Sequence, residues 1–432
     1  MFVQQDNKIT VYGLWHQGIV AAACLANKGY KVVGCDIDHK IVDHININKL
    51  QVEEPGLSEL IKKNLKKGNL KFSKDLSKEA IDSDYIFISY DTPVSDQDEV
   101  SLDIIFDTIN VIKNNIKKDT IIIVTSQLPA GTTYIIQKII DNQNIVYIPE
   151  NLQLGNAIYR FENPPLPVIG AEKDYAFQKV NNLLKPFAKS WERTNIITAE
   201  MLKHALNTFL SMSIVLANEI GDLCEAIGAD GRDVGKFLKL ENRIGRNALT
   251  RPGLAFAGGT LARDVVALLK IANKNFVKTK FIKSIWDSNN DRKSYLNNRV
   301  LKLLGNIKNK KALILGLTYK VDTNTLRRSA SIELIKNLSD KGVEIYAYDP
   351  ALTDEQILSL PEIINFDKEI HKISEKTDII IIMTPWPVFK NIDFSEIKKQ
   401  IIFDTPSMFD KSKFQNLDFD YYTIGTNFKS EN

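Results

Sequence analysis

Cysteine is scarce in this chain: 432 residues hold three, Cys24, Cys35 and Cys224. An odd number without close spacing excludes a disulfide framework and gives no ligand set for a metal. Each sits in an apolar stretch, which predicts three buried small hydrophobes. A leader pattern is also missing, because Met1-Phe2-Val3-Gln4-Gln5-Asp6 has neither a basic start nor an apolar core. No apolar run is long enough to span a bilayer. Charge of one sign is not in excess either: 56 Lys and Arg face 53 Asp and Glu, a formal net charge of +3. That balance predicts neither a nucleic-acid nor a membrane partner. The run Lys62-Lys63-Asn64-Leu65-Lys66-Lys67 reads as the solvated face and end of a helix. The expectation is a cytoplasmic protein without a metal.

A hydrophobic fraction of 44% over this length exceeds one core and suits two or three domains. Up to about residue 197, short apolar runs alternate with amphipathic helical stretches, the pattern of an α/β doubly wound parallel sheet. The predicted strands are Ile9–Tyr12, Lys31–Cys35, Tyr85–Ser89, Thr120–Thr125, Ile145–Ile148 and Pro167–Ile169. From Ala199 the pattern becomes one long helix, apolar nearly all round, which predicts burial between domains or subunits. Helical stretches continue to about residue 305. A second α/β unit then begins at Lys311-Ala312-Leu313-Ile314-Leu315-Gly316, with strands Val343–Tyr348, Asp378–Met383 and Ile401–Phe403. The predicted fold is two Rossmann-like doubly wound domains, 1–197 and 306–432, joined by a long central helix and a helical middle domain, 198–305.

Strand Ile9–Tyr12 runs into Gly13-Leu14-Trp15-His16-Gln17-Gly18 and then an alanine-rich helix. Gly13 allows the tight turn and Gly18 lets helix and strand pack closely. The helix N-terminus then presents its amides to a pyrophosphate. Asp36 ends the second strand at the spacing of a carboxylate that binds both ribose hydroxyls, which favours NAD over NADP. Trp15 stands where the usual motif has its middle glycine. Its side chain must therefore swing outward, over the cofactor, or weaken binding.

Further along, Gly253-Leu254-Ala255-Phe256-Ala257-Gly258-Gly259-Thr260-Leu261-Ala262-Arg263-Asp264 resembles, without a gap, the active-site segment Gly-x-Gly-Phe-Gly-Gly-Ser-Cys-Phe-Pro-Lys-Asp of the UDP-glucose/GDP-mannose dehydrogenase family. The resemblance extends over nearly the whole chain. It implies an NAD-dependent enzyme of polysaccharide synthesis, acting on a nucleotide sugar as a homodimer. Its C-terminal domain would bind the nucleotide sugar. Lys203 and Asn207 match the family's lysine and asparagine; four residues apart on a helix, both can address one oxygen and stabilise an alkoxide. Asp264 matches the aspartate that supports lysine and water, and Glu150 the first glutamate of a Pro-Glu-Phe-Leu segment. Thr92, in Asp91-Thr92-Pro93, looks like the Thr-Pro cofactor contact. Arg243 resembles the arginine that reaches the partner subunit's substrate, Lys320 a substrate lysine, and Arg327 a contact to cofactor or neighbouring subunit. Glu54, in a matching Glu-Pro-Gly-Leu, reads mainly as a helix start. His204, beside Lys203, points elsewhere on the helix and reads as structural.

Three departures fall in one half-reaction. Thr260 replaces the nucleophilic cysteine, Gln127 a threonine that positions hydrolytic water, and Leu154 a second glutamate. The family's second oxidation needs a thiolate that forms a thiohemiacetal and then a thioester. The expected reaction is therefore a single two-electron oxidation. A conventional four-electron route to a uronic acid and a non-catalytic nucleotide-binding homologue remain as alternatives. Trp15 in the phosphate loop and the arginine missing where Asp404-Thr405-Pro406-Ser407 stands for Asp-Gly-Arg-Asn favour the latter; Pro164-Pro165-Leu166 likewise replaces the family's Pro-Asp-Arg on the substrate side.

Overall fold

The computed structural model describes residues 7–52, 54–95, 100–256, 260–326, 329–397, 400–414 and 419–426. Its first sheet contains Lys8–Tyr12 (β1), Lys31–Cys35 (β2), Leu70–Ser73 (β3), Tyr85–Ile88 (β4), Ile121–Val124 (β5), Ile145–Tyr147 (β6), Val168–Ala171 (β7) and Glu192–Thr194 (β8). The order is β3-β2-β1-β4-β5-β6-β7-β8, parallel except between β6 and β7. The connections reverse direction between β1 and β4, so a crevice opens at the carboxyl ends of those two strands. One face of the sheet packs on Val11, Leu25 and Ile123, the other on Tyr12, Ile88 and Ile109. Being covered on both faces explains why the central strands are continuous apolar runs.

The second sheet contains Lys311–Leu315 (β9), Glu344–Tyr348 (β10), Ile364–Phe366 (β11), Ile379–Ile382 (β12), Ile401–Asp404 (β13) and Asp420–Thr423 (β14), ordered β11-β10-β9-β12-β13-β14 and parallel throughout. Both α/β units are therefore doubly wound. The four strands that the apolar pattern does not reveal, β3, β8, β11 and β14, are the four edges of the two sheets.

The expected middle helix spans Ile196–Ile227, 32 residues. By compactness the chain divides into two units, Met1–Asn207 with Arg263–Lys278, and Thr208–Ala262 with Thr279–Asn432. The predicted 198–305 segment is thus distributed between the two. All three cysteines are buried and unpaired. Among the described residues, no helix is long and apolar enough to cross a membrane, and no cluster of His, Cys, Asp or Glu could hold a metal ion.

Candidate active site

The phosphate loop leaves β1 at Gly13, whose φ is +94° and whose amide donates to Cys35 O at 2.9 Å. A side chain on Gly13 would meet the Tyr90 backbone nitrogen at 2.7 Å, and one on Gly18 would come within 1.7 Å of Gly13 O. Only glycine fits either position, which is the cradle a dinucleotide needs at its pyrophosphate. The helix that follows, His16–Asn27, buries ten residues, Gln17 to Ala26, against the sheet. Trp15 stands at its N-cap with 44% of its surface exposed. Asp36 is buried; its carboxylate accepts from Leu14 N at 2.7 Å and Asp38 N at 2.9 Å. A carboxylate offers about four lone-pair directions, so two remain for ribose hydroxyls. These residues fit NAD.

Glu54 does more than start a helix. It accepts from Ala157 N at 2.7 Å and Gly155 N at 2.9 Å, capping the helix Ala157–Glu162, and lies 3.1 Å from His16 Nε2. It thereby fastens the phosphate loop to the segment that follows Glu150.

The reactive groups gather around the start of the long helix. Glu200, fully buried, accepts from Gly131 N at 2.6 Å and Thr133 N at 2.9 Å, so it caps the helix Thr132–Ile140. This holds the Gln127–Gly131 loop against the long helix, where Ala130 N donates to His204 Nε2 at 3.1 Å. With Nε2 accepting, the imidazole proton is on Nδ1, which donates to Asp264 Oδ1 at 2.7 Å. Asp264 Oδ2 also accepts from Gln127 Nε2 at 2.5 Å and from Asn207 Nδ2. Burial opposes the charge of Asp264, but the hydrogen bonds from His204, Gln127 and Asn207 outweigh it and hold the carboxyl below its usual range.

Lys203 follows a different course from Asn207. Its ammonium, buried, donates to Glu150 O and to Asn151 Oδ1 at 3.2 Å. Burial draws its pKa below the ordinary lysine value, with Glu150 and Asp264 acting in the opposite sense. Three N–H donors with two acceptors leave one for a substrate oxygen. Burial also raises the Glu150 carboxyl, against the nearby Lys203, and Glu150 accepts from Leu152 N. Behind this loop lies an apolar recess of about 70 Å³ between Phe87, Ile148, Phe161, Leu184 and Trp191.

Two residues belong to this network that the sequence reading did not assign to it. His204 is one: it joins Asp264 instead of pointing away from the site. Arg263 is the other, buried in the first turn of the helix Leu261–Lys274. Its guanidinium donates to Thr92 O at 3.2 Å, Thr92 Oγ1 at 2.7 Å and Gln127 Oε1. Gln127 thus bridges Arg263 and Asp264. The signal for Arg263 was its position beside Asp264 in a segment otherwise made for burial.

Of the remaining predicted site residues, Thr260, Arg243 and Lys320 belong to the second unit. Thr260 is exposed at the start of the helix Leu261–Lys274. Arg243 is exposed and pairs with Glu241 at 3.0 Å. Lys320 is half-buried, and its carbonyl accepts from Thr323 Oγ1 at 2.7 Å. Arg327 lies outside the described residues. In the same unit Arg251 donates to Pro406 O and to Ser407 O at 3.1 Å, within the segment where the family's arginine is missing.

Three family models match the chain: the NAD binding domain of the UDP-glucose/GDP-mannose dehydrogenase family at 7–188, its central domain at 197–291 and its UDP binding domain at 313–413. The UDP-glucose 6-dehydrogenase TuaD of Bacillus subtilis is 30% identical over 429 residues, 97% of this chain and 93% of that protein. The UDP-glucose 6-dehydrogenase of Rickettsia bellii is 30% identical over 431 residues, 97% of this chain and 99% of that one. Among solved structures, a UDP-glucose dehydrogenase from Pyrobaculum islandicum superposes with a TM-score of 0.88 at 24% identity, covering 99% of both chains. The UDP-N-acetyl-mannosamine dehydrogenase Cap5O of Staphylococcus aureus does so at 0.78 and 24%, covering 98% of this chain and 99% of that one.

Proposed function

Because the chain belongs to the UDP-glucose/GDP-mannose dehydrogenase family, we propose that it is a nucleotide-sugar dehydrogenase that stops after one two-electron oxidation. NAD is its cofactor, and when bound it supplies the acceptor for the hydride. A UDP-sugar is its substrate class, by the UDP binding domain. Lys203 donates to the alcohol oxygen as charge develops there, and the Glu150–Asn151 loop fixes the ammonium. With NAD bound, the nicotinamide would accept the hydride, the hydroxyl proton would pass to solvent water, and a carbonyl would remain on the sugar. Asp264 holds Asn207 and His204 in place and touches neither Lys203 nor, on this reading, the substrate. Thr260, at the position of the family's cysteine, supplies no thiolate. The carbonyl-bearing sugar would serve polysaccharide or glycoconjugate synthesis.

The observation that carries the single-step reading is the Gln127 amide on Asp264. In the family that position holds a threonine that helps place the hydrolytic water. Here an amide takes a place on the carboxylate that a water would otherwise use, and three donors now converge on it. With Thr260 for the thiol and Leu154 for the second glutamate, neither the acyl intermediate nor its hydrolysis is provided for.

The test is stoichiometric. With a limiting nucleotide sugar drawn from a panel of UDP-, GDP- and CDP-sugars, one NADH should form per sugar, and the product should be a carbonyl that hydroxylamine traps. Two NADH and a carboxylate would sink the reading. Cofactor binding without turnover on any sugar would favour a nucleotide-binding homologue, the reading that Trp15 in the phosphate loop supports.

A homodimer is part of the same proposal. Phe209, Leu216 and Leu223 recur every seven residues along the long helix and, with Ile227, are more than half exposed in the single chain. An apolar stripe of this kind needs a cover, and the exposed Arg243 is available to a second copy. Light scattering should give twice the chain mass of 48.9 kDa. The pair Leu216→Glu and Leu223→Glu should give single chains; a wild-type monomer would refute the assignment.

A further inference from the structure

The N-terminus of the helix His16–Asn27 already holds an anion. Helix starts leave amide donors without intrahelical partners and carry partial positive charge, which is why dinucleotide folds place a pyrophosphate there. In this chain Trp15, at the N-cap, makes no side-chain capping bond. The first helical amide, His16 N, donates instead to Asp91 Oδ2 at 3.2 Å. Asp91 follows β4, the strand beside β1, so its carboxylate arrives from across the crevice in which the cofactor must lie. The residue as a whole is exposed, while its carboxyl group is desolvated enough to raise its pKa, against the hydrogen bonds from His16 N and Gln17 N and the charges of His16 and Arg263. The next residue, by contrast, is pinned. Thr92 is buried, donates to Gln127 O at 3.0 Å and accepts from Arg263.

We propose that Asp91 is an internal occupant of the pyrophosphate seat, and that NAD binds by displacing its carboxylate from the helix N-terminus. One anion replaces another on the same donors, so the gain from the phosphate half is reduced by the contact that is lost. Adenosine recognition at Asp36, where the ribose carboxylate is held by other amides, is untouched by the exchange. The arrangement tunes affinity for the phosphates alone. It also favours turnover: an enzyme that makes one NADH per substrate must release it every cycle, and a tethered carboxylate that reclaims the helix end assists departure. Because Thr92 is fixed by Arg263 and Gln127, the displaced residue turns about a stationary neighbour and Thr92 stays in place.

Asp91→Asn keeps an oxygen that can accept from His16 N and removes the charge; Asp91→Ser does the same with a shorter side chain. Calorimetric titration of the full chain with NAD, ADP and adenosine separates the halves of the ligand. Relative to wild type, both variants should bind NAD and ADP roughly tenfold more tightly, the scale of a charge at a helix end, with adenosine changed by less than about twofold. Unchanged affinity for NAD and ADP in both folded variants, or an equal gain for adenosine, would overturn the proposal. Since the titrations read binding, they hold whether or not the reaction stops after one oxidation.

Discussion

Replacing Lys203 by methionine should lower kcat by roughly 10²–10³-fold while leaving the Kd for NAD within about twofold, the loss seen when one donor to a developing oxyanion is removed. Methionine keeps the length and apolar stem of lysine, so the buried channel stays filled. What disappears is the charge that the proposed mechanism places against the substrate oxygen. The cofactor residues Gly13, Gly18 and Asp36 lie on other elements and do not contact Lys203, so binding of NAD should survive. The wild-type pH profile carries the same information. In the proposed mechanism Lys203 works as the ammonium, and burial sets its pKa below the ordinary lysine value. Activity should therefore be retained at lower pH and fall as pH rises through that lowered pKa, earlier than for an exposed lysine. A Lys203→Met enzyme with kcat near wild type would remove Lys203 from the mechanism.

Asp264→Asn should be the most costly single change to stability in the site. Three donors, from His204, Gln127 and Asn207, converge on two carboxylate oxygens with no solvent exposure. An amide offers one oxygen and turns an NH₂ group on a donor it cannot satisfy. Breaking a buried charged arrangement of this type costs about 3–5 kcal/mol, which urea unfolding would measure directly. The sign with pH is fixed by the direction of the shift. The folded carboxyl titrates below the unfolded value of about 3.9, so its contribution is complete above that pH and is lost as pH falls through the folded pKa. Wild type should lose its advantage over Asp264→Asn in that acid range and keep it at neutral pH. Equal stability of the two proteins at pH 7 would contradict the burial and pairing described for Asp264.

The interior of the fold could be read from the chain because interior strands are written in one kind of residue. Ile121–Val124 and Ile379–Ile382 are covered on both faces and contain nothing but branched apolar side chains. The edges could not. Leu70–Ser73, Ile364–Phe366 and Asp420–Thr423 mix polar with apolar residues, Glu192–Thr194 is polar throughout, and each has one neighbour and needs only a partner strand to form. At the site, residue identities were legible from motif positions, but their pairing was not. Helical spacing suggested that Lys203 and Asn207 share an oxygen. The pair that meets a common group is His204 and Asn207, three apart, both on Asp264, while Lys203 turns toward the Glu150 loop. Spacing says which side chains neighbour each other on a helix; what lies opposite comes from Gln127 and Asp264, far along the chain.

That distance has a consequence for how the protein is made. The first compact unit is discontinuous: the chain leaves it after Asn207 and returns at Arg263. Gln127 and Asp264 are 137 positions apart, Thr92 and Arg263 171. Contacts of that separation are reached late, because closing such loops costs entropy before any contact repays it. On the ribosome the parallel sheet can assemble while the Ala130 and Gln127 loop still lacks its acid. The loop, the imidazole and the amide of Asn207 meet Asp264 only once the helix Leu261–Lys274 has been synthesised and docks. The candidate site is thus among the last parts of the first unit to form, and a nascent chain halted before residue 263 carries the phosphate loop without Arg263 and Asp264.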